Sequence, residues 1–192
     1  MPYGFTKIRC LVRSDRNLES LQRAADSSKA EVEFLRGDLL YKDHCINAVR
    51  DVAVIYHLAV GSTGKSFPNA FMNSVITTRN LLEACNQNKS LKRFVNISSF
   101  AVYSNINKPR WRLLDELCPI EEHPEDRGDA YGFAKLKQDQ LVIEYGGKIN
   151  IRYVILRPGV VYGPGKKGIP GRIGIGTFGL FLHLGGSNKV PL

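Results

Sequence analysis

A tyrosine and a lysine four positions apart, Tyr131 and Lys135, form the strongest chemical signal in the sequence. Residues 129–142 around them have a helical pattern, and on a helix two residues at this spacing lie one turn apart on the same face. An ammonium group held near a phenol favours the phenolate, so the tyrosine proton is easier to give and to take. Such a pair can act as a general acid and base on an alcohol or a ketone. The same spacing is common on helix surfaces, so the rest of the chain must support this interpretation.

The composition of the chain is that of a globular protein with a core of its own. Its 192 residues are 43% hydrophobic and 23% charged. Four cysteines, at positions 10, 45, 85 and 118, lie far apart without a C-x-x-C spacing, which argues against a metal site or a disulfide framework. We therefore expect a reducing, cytoplasmic location. No apolar run approaches the length of a membrane span, so no membrane partner is expected.

The net charge of +9 is unevenly distributed along the chain. No acidic residue follows Glu144, whereas seven lysines and arginines do. A basic region of this kind can meet nucleic acid or the phosphates of a small ligand. The basic residues are not interleaved with aromatic ones as in a nucleic-acid module. We therefore expect a small-molecule partner and no nucleic acid.

Short apolar runs alternate with helical patterns from the first residues onward. This alternation predicts an α/β fold with a parallel sheet covered by helices on both faces, a Rossmann-like doubly wound arrangement. Ligands of such sheets bind outside the carboxyl ends of the strands. A further helix is expected at residues 177–184. The predicted strands are residues 7–12, 31–36, 51–59, 91–97 and 151–156, and the predicted helices are residues 18–25, 41–50, 70–88 and 129–142.

Five short segments support a more specific interpretation. In chain order they are Gly37–Leu39, His57–Ala59, Ser98–Tyr103, Tyr131–Lys135 and Leu156–Gly163. The ordered set resembles the extended short-chain dehydrogenase/reductases, the NAD-dependent epimerase/dehydratase group of nucleotide-sugar enzymes. The resemblance spans almost the whole chain. It implies binding of NAD or NADP and an oxidoreductase step on a hydroxyl or ketone of a nucleotide sugar.

The resemblance implies catalytic roles for three polar side chains. Tyr131 would be the acid and base, and Ser99 would hydrogen-bond the reacting oxygen. Lys135 would favour the phenolate and bind the nicotinamide ribose. In an epimerase, a sugar hydroxyl would be oxidised to a ketone, turned over and reduced on its other face, while the protein supplies position and proton transfer.

The resemblance also implies a set of cofactor-binding residues. Arg13, at the end of the first predicted strand, could meet the 2′-phosphate of NADP, whereas Asp15 leaves NAD open. The other members, besides Tyr131 and Lys135, are Asp38 and Leu39 beside the adenine, Leu58 and Ala59 along the path of the cofactor, and Pro158 and Val161 near the nicotinamide.

Several features depart from the family pattern. The family's first strand and glycine-rich turn have no counterpart before residue 7, and Gly163–Gly168, a literal G-x-G-x-x-G, is not followed by a helical pattern. Ser74 stands where the family usually has an asparagine, for which Asn73 could substitute. We therefore expect residues 1–165 to be an incomplete dinucleotide-binding domain and residues 166–192 to begin a truncated substrate-binding region. We also expect the isolated chain to bind dinucleotide poorly or to fold badly.

The same residues have structural interpretations that the sequence leaves open. Ser99 could be a turn residue that closes a strand. Asp38 could cap the helix that follows it. His57 could be a packed core residue, and Pro158 could simply end a strand, because proline cannot continue a central one.

Three other functions remain open. Ala59–Ser66 nearly matches the P-loop pattern G-x-x-x-x-G-K-[ST] of nucleoside triphosphatases. Against it, Pro68 falls where the following helix should run, and no later strand ends in an aspartate. The chain could also be an NADPH-dependent ketone reductase of the steroid or flavonoid type, or a non-catalytic dinucleotide sensor. A homodimer is one possible assembly.

Overall fold

Strands and helices alternate through the chain as the sequence pattern predicts. The computed structural model describes residues 5–16, 18–61, 66–104 and 114–161, together with the backbone of two short strands near the carboxyl end. This part of the chain forms an α/β fold of parallel strands connected by helices, which confirms the predicted fold class.

The first two strands form a small parallel sheet. Strands β1 (Lys7–Val12) and β2 (Glu31–Arg36) pair in register from Lys7 opposite Glu31 to Val12 opposite Arg36, and helix α1 (Leu18–Asp26) connects them. Opposite charges face each other across this pair, as in the Arg9–Glu33 contact of 2.9 Å. Because such pairs lie near solvent, they contribute little to stability and mainly fix the strand register.

The next three strands form a second parallel sheet in the order β3-β4-β5. They are β3 (Val54–His57), β4 (Arg93–Ile97) and β5 (Tyr153–Leu156). Within the described residues no ladder joins this sheet to the β1–β2 pair.

A continuous helical segment, residues 67–85, follows β3. It begins as α3 (Phe67–Ala70), widens into a π-helical turn (Phe71–Ile76) and ends as α4 (Thr77–Cys85). Single π turns of this kind are rare and often lie at functional sites. The sequence predicted one regular helix over residues 70–88, so the π turn is a feature that periodicity did not reveal.

Helix α5 (Ala130–Lys148) carries the tyrosine and lysine on which the sequence interpretation depends. Asp129 caps its amino end, because its carboxylate accepts a hydrogen bond from the backbone N–H of Tyr131 at 3.1 Å. Near its carboxyl end the helix passes so close to β5 that a Cβ on Gly146 would lie 2.3 Å from the ring of Tyr153. Only glycine permits this approach.

The main hydrophobic core lies between the helices and one face of the sheets. Its centre is formed by Phe94 of β4, Leu82 of α4 and Val142 of α5, each at most 2% exposed. Helix α2 (Lys42–Val49) adds Cys45 and Val49, and Leu11 of β1 packs against the same cluster. One core therefore joins both sheets.

The opposite face of the β3–β5 sheet lines a shallow cavity of about 530 Å³. Tyr56 and Leu156 on this face are 54% and 47% exposed, and Phe5 stacks edge-on against the Tyr56 ring. The sequence predicted helices on both faces, whereas among the described residues this apolar face stays largely open.

The prediction of a helix at residues 177–184 is wrong. Strands β6 (Gly174–Thr177) and β7 (Leu180–His183) instead pair antiparallel as a hairpin. Glycines recur through residues 171–179, and this residue lowers helix propensity by about 1 kcal/mol at each interior position. Two strands joined by two residues are the ordinary geometry of a hairpin.

Candidate active site

Lys135 is a buried lysine at the centre of the candidate site. Its side chain is on α5 and is only 3% exposed, and its ammonium group donates a hydrogen bond of 2.7 Å to the backbone carbonyl of Ile97, the last residue of β4. Burial lowers the pKa of Lys135 to about 8, against the opposing effect of the nearby Asp139 carboxylate. The amine is thus held at the carboxyl end of β4, the middle strand of its sheet. Its protonated form is less favoured there than in water.

Ser99 lies two residues beyond the lysine's carbonyl partner. It is 5% exposed and caps a short 3₁₀ turn, Phe100–Val102, where its hydroxyl accepts a hydrogen bond from Ala101 N at 3.2 Å. The turn is tied to the end of β5, because Phe100 N donates to the carbonyl of Pro158 at 3.1 Å. Ser99 is therefore a turn residue, as one interpretation held, and it lies two residues along the chain from Ile97, the hydrogen-bond partner of Lys135.

Tyr131 is half-buried in the first turn of α5. This turn packs against the Ser99 turn: a Cβ on Gly132 would lie 3.4 Å from the carbonyl of Ala101. Arg127, just before the helix, donates to the same carbonyl at 2.9 Å and to that of Tyr103 at 3.3 Å. The fold thus brings the segments that carry Ser99, Tyr131 and Lys135 to one end of β4.

The predicted cofactor residues at the ends of β1 and β2 differ in their accessibility. Arg13 is exposed, and its guanidinium donates to the side-chain oxygen of Asn73 at 3.0 Å. Asp38 accepts a hydrogen bond from Leu40 N at 2.9 Å, a local turn, whereas the helix after it is capped at Tyr41. The helix-cap interpretation of Asp38 is therefore wrong. Leu39 is 8% exposed and packs into the main core.

The predicted cofactor residues at the ends of β3 and β5 present apolar surface to solvent. Leu58 and Val161 are 66% and 64% exposed, Ala59 is also exposed, and Pro158 is half-buried. Exposed aliphatic side chains at the carboxyl edge of a parallel sheet fit the flat rings of a dinucleotide, because ligands of such sheets bind at this edge. The residues that are present therefore fit the dinucleotide that the resemblance implies.

A buried ion pair that the sequence interpretation missed supports helix α5. Asp139 accepts hydrogen bonds from Arg157 at 3.1 Å and from Asn96 at 2.9 Å, and the Arg157 guanidinium also donates to the Tyr103 hydroxyl at 3.3 Å. Burial raises the pKa of Asp139, and the bonds from Arg157 and Asn96 oppose that rise. Arg157, which directly follows β5, thus ties this strand to helix α5. In the sequence, only the charge of Arg157 and its position one residue after a predicted strand could have indicated this role.

A second buried polar cluster joins β3, the 67–85 segment and α5. His57 lies 2.8 Å from the Thr78 hydroxyl, and the Gln138 amide nitrogen lies 2.7 Å from the same hydroxyl. His57 is 3% exposed, and burial, with a smaller effect of the charge on Lys135, lowers its pKa to about 3. The interpretation of His57 as a packed residue is confirmed.

Gln138 was not singled out from the sequence. The available signal was helical spacing, because positions 131, 135, 138 and 142 share one face of α5. The Asn73 side chain binds Arg13 and the Asn69 carbonyl, while Ser74 is 1% exposed within the buried cluster.

Two glycine-containing motifs fall mainly outside the described residues. Gly163–Gly168 lies entirely outside them, as do residues 62–65 of the P-loop-like Ala59–Ser66. The argument against that motif from Pro68 is wrong, because Ser66 caps α3 and Pro68 lies in its first turn, where no intrahelical N–H bond is lost. In the part of the chain that the structure describes, no cluster of His, Cys, Asp or Glu could hold a metal ion.

Parallel strands, connecting helices and a polar site at the strands' carboxyl edge define a dinucleotide-binding class of α/β protein. A family model described as "NAD dependent epimerase/dehydratase family" matches residues 7–174. The chain belongs to the NAD-dependent epimerase/dehydratase family. Within the described residues, no helix is both long and apolar enough to cross a membrane.

Sequence relatives include plant enzymes of nucleotide-sugar metabolism. A trifunctional UDP-glucose 4,6-dehydratase/UDP-4-keto-6-deoxy-D-glucose 3,5-epimerase/UDP-4-keto-L-rhamnose-reductase of Arabidopsis thaliana is 27% identical over 186 residues, which are 90% of this chain and 26% of that protein. GDP-mannose 3,5-epimerase 1 of Oryza sativa subsp. indica is 29% identical over 140 residues, 69% of this chain and 35% of that protein. The chain thus spans about a quarter to a third of the length of these relatives.

Solved structures with the same fold contain NAD. UDP-glucuronic acid 4-epimerase of Bacillus cereus, in complex with NAD, is 33% identical with a TM-score of 0.60, and the match covers 78% of this chain and 44% of that one. UDP-glucose 4-epimerase of Thermus thermophilus, also with NAD, has a TM-score of 0.62 at 22% identity, and this match covers 84% and 57% of the two chains. The second likeness shows the fold alone.

Proposed function

We propose that this chain provides the catalytic core of an NAD(P)-dependent epimerase or dehydratase that acts on a hydroxyl or ketone of a nucleotide sugar. The observation that carries the proposal is the buried Lys135, whose ammonium group reaches the carboxyl end of β4 at 2.7 Å from the Ile97 carbonyl. A lysine buried without a carboxylate on its ammonium group is costly, so its position is better explained by chemistry than by packing.

The proposed reaction needs a proton carrier, a cation and a hydrogen-bond donor. Tyr131 would take the proton of the sugar hydroxyl and return it to the ketone, and the Lys135 ammonium one turn away would stabilise the phenolate between these steps. Ser99, whose oxygen accepts from Ala101 N, would donate its hydroxyl hydrogen to the reacting oxygen. The dinucleotide, when bound, would supply the hydride chemistry.

The residues that would hold the dinucleotide lie along the carboxyl edge. Asp38 and Arg13 would meet the adenosine half, the exposed Leu58 and the backbone of Ala59 would border the middle, and Pro158 with Val161 would border the nicotinamide. The domain division belongs to the same proposal: residues 1–165 would serve the dinucleotide, and residues 166–192 would begin the substrate-binding region.

Turnover of nucleotide sugars by the chain and by a Tyr131→Phe variant tests the proposal. UDP-glucose, UDP-glucuronic acid and GDP-mannose, each with NAD or NADP, serve as probes, and products are separated by chromatography. We expect slow turnover by the wild-type chain, whose dinucleotide-binding domain is expected to be incomplete, and a further loss of about 10²- to 10⁴-fold in Tyr131→Phe, because the acid and base is removed. Tyr145→Phe makes the same change on the same helix and should keep full activity. Equal rates in all three proteins would contradict the proposal.

A second candidate is an NADPH-dependent ketone reductase. One observation favours it. Asp15, the acidic residue that could have bound the ribose hydroxyls of NAD, instead accepts two hydrogen bonds of 2.8 and 2.9 Å from Arg36. Arg13 is thus the side chain available for a 2′-phosphate. A reductase would consume NADPH in proportion to product, whereas an epimerase would show no net change in the dinucleotide.

A further inference from the structure

We propose that Gln138 is a positioning residue whose amide locks the loop after β3, the predicted border of the dinucleotide site, to the helix that carries Tyr131 and Lys135. This inference rests on the proposed function. It assigns Gln138 no contact with substrate, so its effect would be exerted through the loop that begins at Leu58.

The amide of Gln138 lies where three elements meet. The side chain is completely buried on α5, one turn after Lys135. Its nitrogen lies 2.7 Å from the Thr78 hydroxyl and 3.3 Å from the Ser74 carbonyl, both on the 67–85 segment. The same nitrogen lies 3.4 Å from the carbonyl of Ala59, in the loop after β3. One NH₂ group therefore connects the catalytic helix to both neighbours.

The hydrogen-bond donors around this amide fit a single arrangement. The Thr78 hydroxyl donates its one hydrogen to the Ser74 carbonyl at 2.6 Å, so it must accept from its other neighbours. His57, neutral because its pKa is lowered to about 3, can donate from Nε2 to that hydroxyl, and Gln138 can do the same. The second amide hydrogen of Gln138 then remains for a backbone carbonyl, of Ala59 or of Ser74.

The loop is also held at a second point by the π turn. Gly61 N donates to the Ser74 hydroxyl at 2.8 Å, and a Cβ on Gly61 would lie 3.0 Å from Cβ of Asn73. The close approach requires glycine at this position. The loop is thus fixed at Ala59 and at Gly61, while Leu58 between β3 and these anchors stays 66% exposed.

A purely structural role does not account for a glutamine at this position. Its side-chain oxygen is buried and has no hydrogen-bond partner among the described residues. Burying an unpaired polar atom costs stability, which an aliphatic side chain of the same volume would avoid. What the amide provides, and leucine or methionine would not, is the pair of donors that reach the 67–85 segment and the loop.

The test compares Gln138→Leu and Gln138→Met with the wild-type chain. Gln140→Leu is the control, since Gln140 is exposed on the same helix. Three quantities are measured: hydrogen exchange of the Gly61 amide, the dissociation constants of NAD and NADP, and the thermal unfolding midpoint. We expect the Gly61 amide of at least one folded variant to exchange at least tenfold faster, with the amide of Val142 unchanged. Dinucleotide binding should weaken about tenfold, which equals about 1.4 kcal/mol.

Each outcome bears on one of the two proposals. A wild-type chain that binds neither dinucleotide would contradict the proposed function. Unchanged exchange at Gly61 in every folded Gln138 variant would overturn the positioning role, whether or not a dinucleotide binds. If Gln138→Leu and Gln138→Met both fail to fold, Gln138 serves stability alone and the positioning role is also overturned.

Discussion

At the scale of single residues, the candidate site depends on where charge is buried. Lys135 and Asp139 lie one turn apart on α5 and are both 3% exposed, yet Lys135 points to a backbone carbonyl and Asp139 binds Arg157 and Asn96. The two groups thus have separate partners. Asp139 and Arg157 join α5 to the end of β5, whereas the Lys135 ammonium group is bound to the end of β4.

The low pKa of Lys135 predicts a specific dependence of stability on pH. Because burial lowers this pKa from 10.5 to about 8 in the folded chain, the unfolded chain holds more protons between those two values. The free energy of unfolding should therefore rise with pH from about 8 to 10.5, by at most about 1.4 kcal/mol per pH unit. Below pH 8 the full cost of burying the ammonium group applies.

Urea unfolding of the wild-type chain and of Lys135→Met, at several pH values, measures this effect. The difference in free energy of unfolding between the two proteins should change from about pH 8 to 10.5, because all other titrating groups are common to both. Lys137→Met, two residues along the same helix, should behave as the wild-type chain does. A constant difference from pH 7 to 11 would show that the amine is not buried as described.

Arg13 gives a prediction about cofactor choice. If its guanidinium receives a 2′-phosphate, then 2′,5′-ADP should bind at least tenfold more tightly than 5′-ADP, since a charge-assisted hydrogen bond contributes about 1.5–3 kcal/mol. Arg13→Asp should remove this preference. Arg50→Asp is a control with the same change of charge at the other end of the strands. Calorimetric titration with both nucleotides decides the question, and equal affinities for the wild-type chain would point to NAD.

At the scale of elements, the Asp139–Arg157 pair connects α5 to β5. Arg157→Leu leaves a buried carboxylate without its cation, which costs about 3–5 kcal/mol where a pair is buried. Because Arg157 is only partly buried, we expect a loss near the lower value. The double variant Asp139→Leu/Arg157→Leu should recover most of it, since no unpaired charge remains. Denaturant unfolding measures both, and a double variant no more stable than Arg157→Leu would contradict this account.

The elements themselves show what sequence patterns can and cannot reveal. All five predicted strands were confirmed, β1 and β2 with the predicted bounds and β3, β4 and β5 with shorter ends, because apolar runs mark buried strands well. The two serines after β4 and the Tyr131–Lys135 spacing predicted a site at the end of this strand. The structure brings the segments that carry these residues together there, and their catalytic roles stay predictions. The π turn at residues 71–76 and the links from Gln138 and Arg157 were missed, since they depend on contacts between residues 18 to 79 positions apart.

At the scale of the whole molecule, one core holds together the β1–β2 and β3–β5 sheets, between which no ladder runs in the described part of the chain. Leu11 of β1, Leu82 of α4 and Phe94 of β4 belong to the same hydrophobic cluster. The Asn80 amide adds a polar connection, donating to the carbonyls of Leu39 and Leu40 at 3.0 and 3.1 Å. We therefore infer that both sheets unfold as one unit.

Leu82→Ala tests this cooperativity. The substitution should cost about 2–5 kcal/mol, because a side chain that is 2% exposed leaves a cavity. Amide exchange should then accelerate equally at Leu35 in β2 and at Val95 in β4. Leu21→Ala, at a position 42% exposed on α1, should change little. Faster exchange confined to β4 would mean that the sheets are independent.

The π turn has one more consequence, which concerns chain length. A π turn holds one residue more than an α turn, so removing a residue such as Met72 would leave the flanking faces in register while restoring a regular helix. The Ser74 carbonyl, which now accepts from Thr77, Thr78 and Gln138, would then lie in a regular helical turn, where we expect it to lose the bond from Gln138. A relative that lacks one residue between positions 67 and 76 in an alignment with this chain should therefore have a regular helix there. We expect such a homologue to hold the loop after β3 by other contacts than those of Ser74 and Gln138.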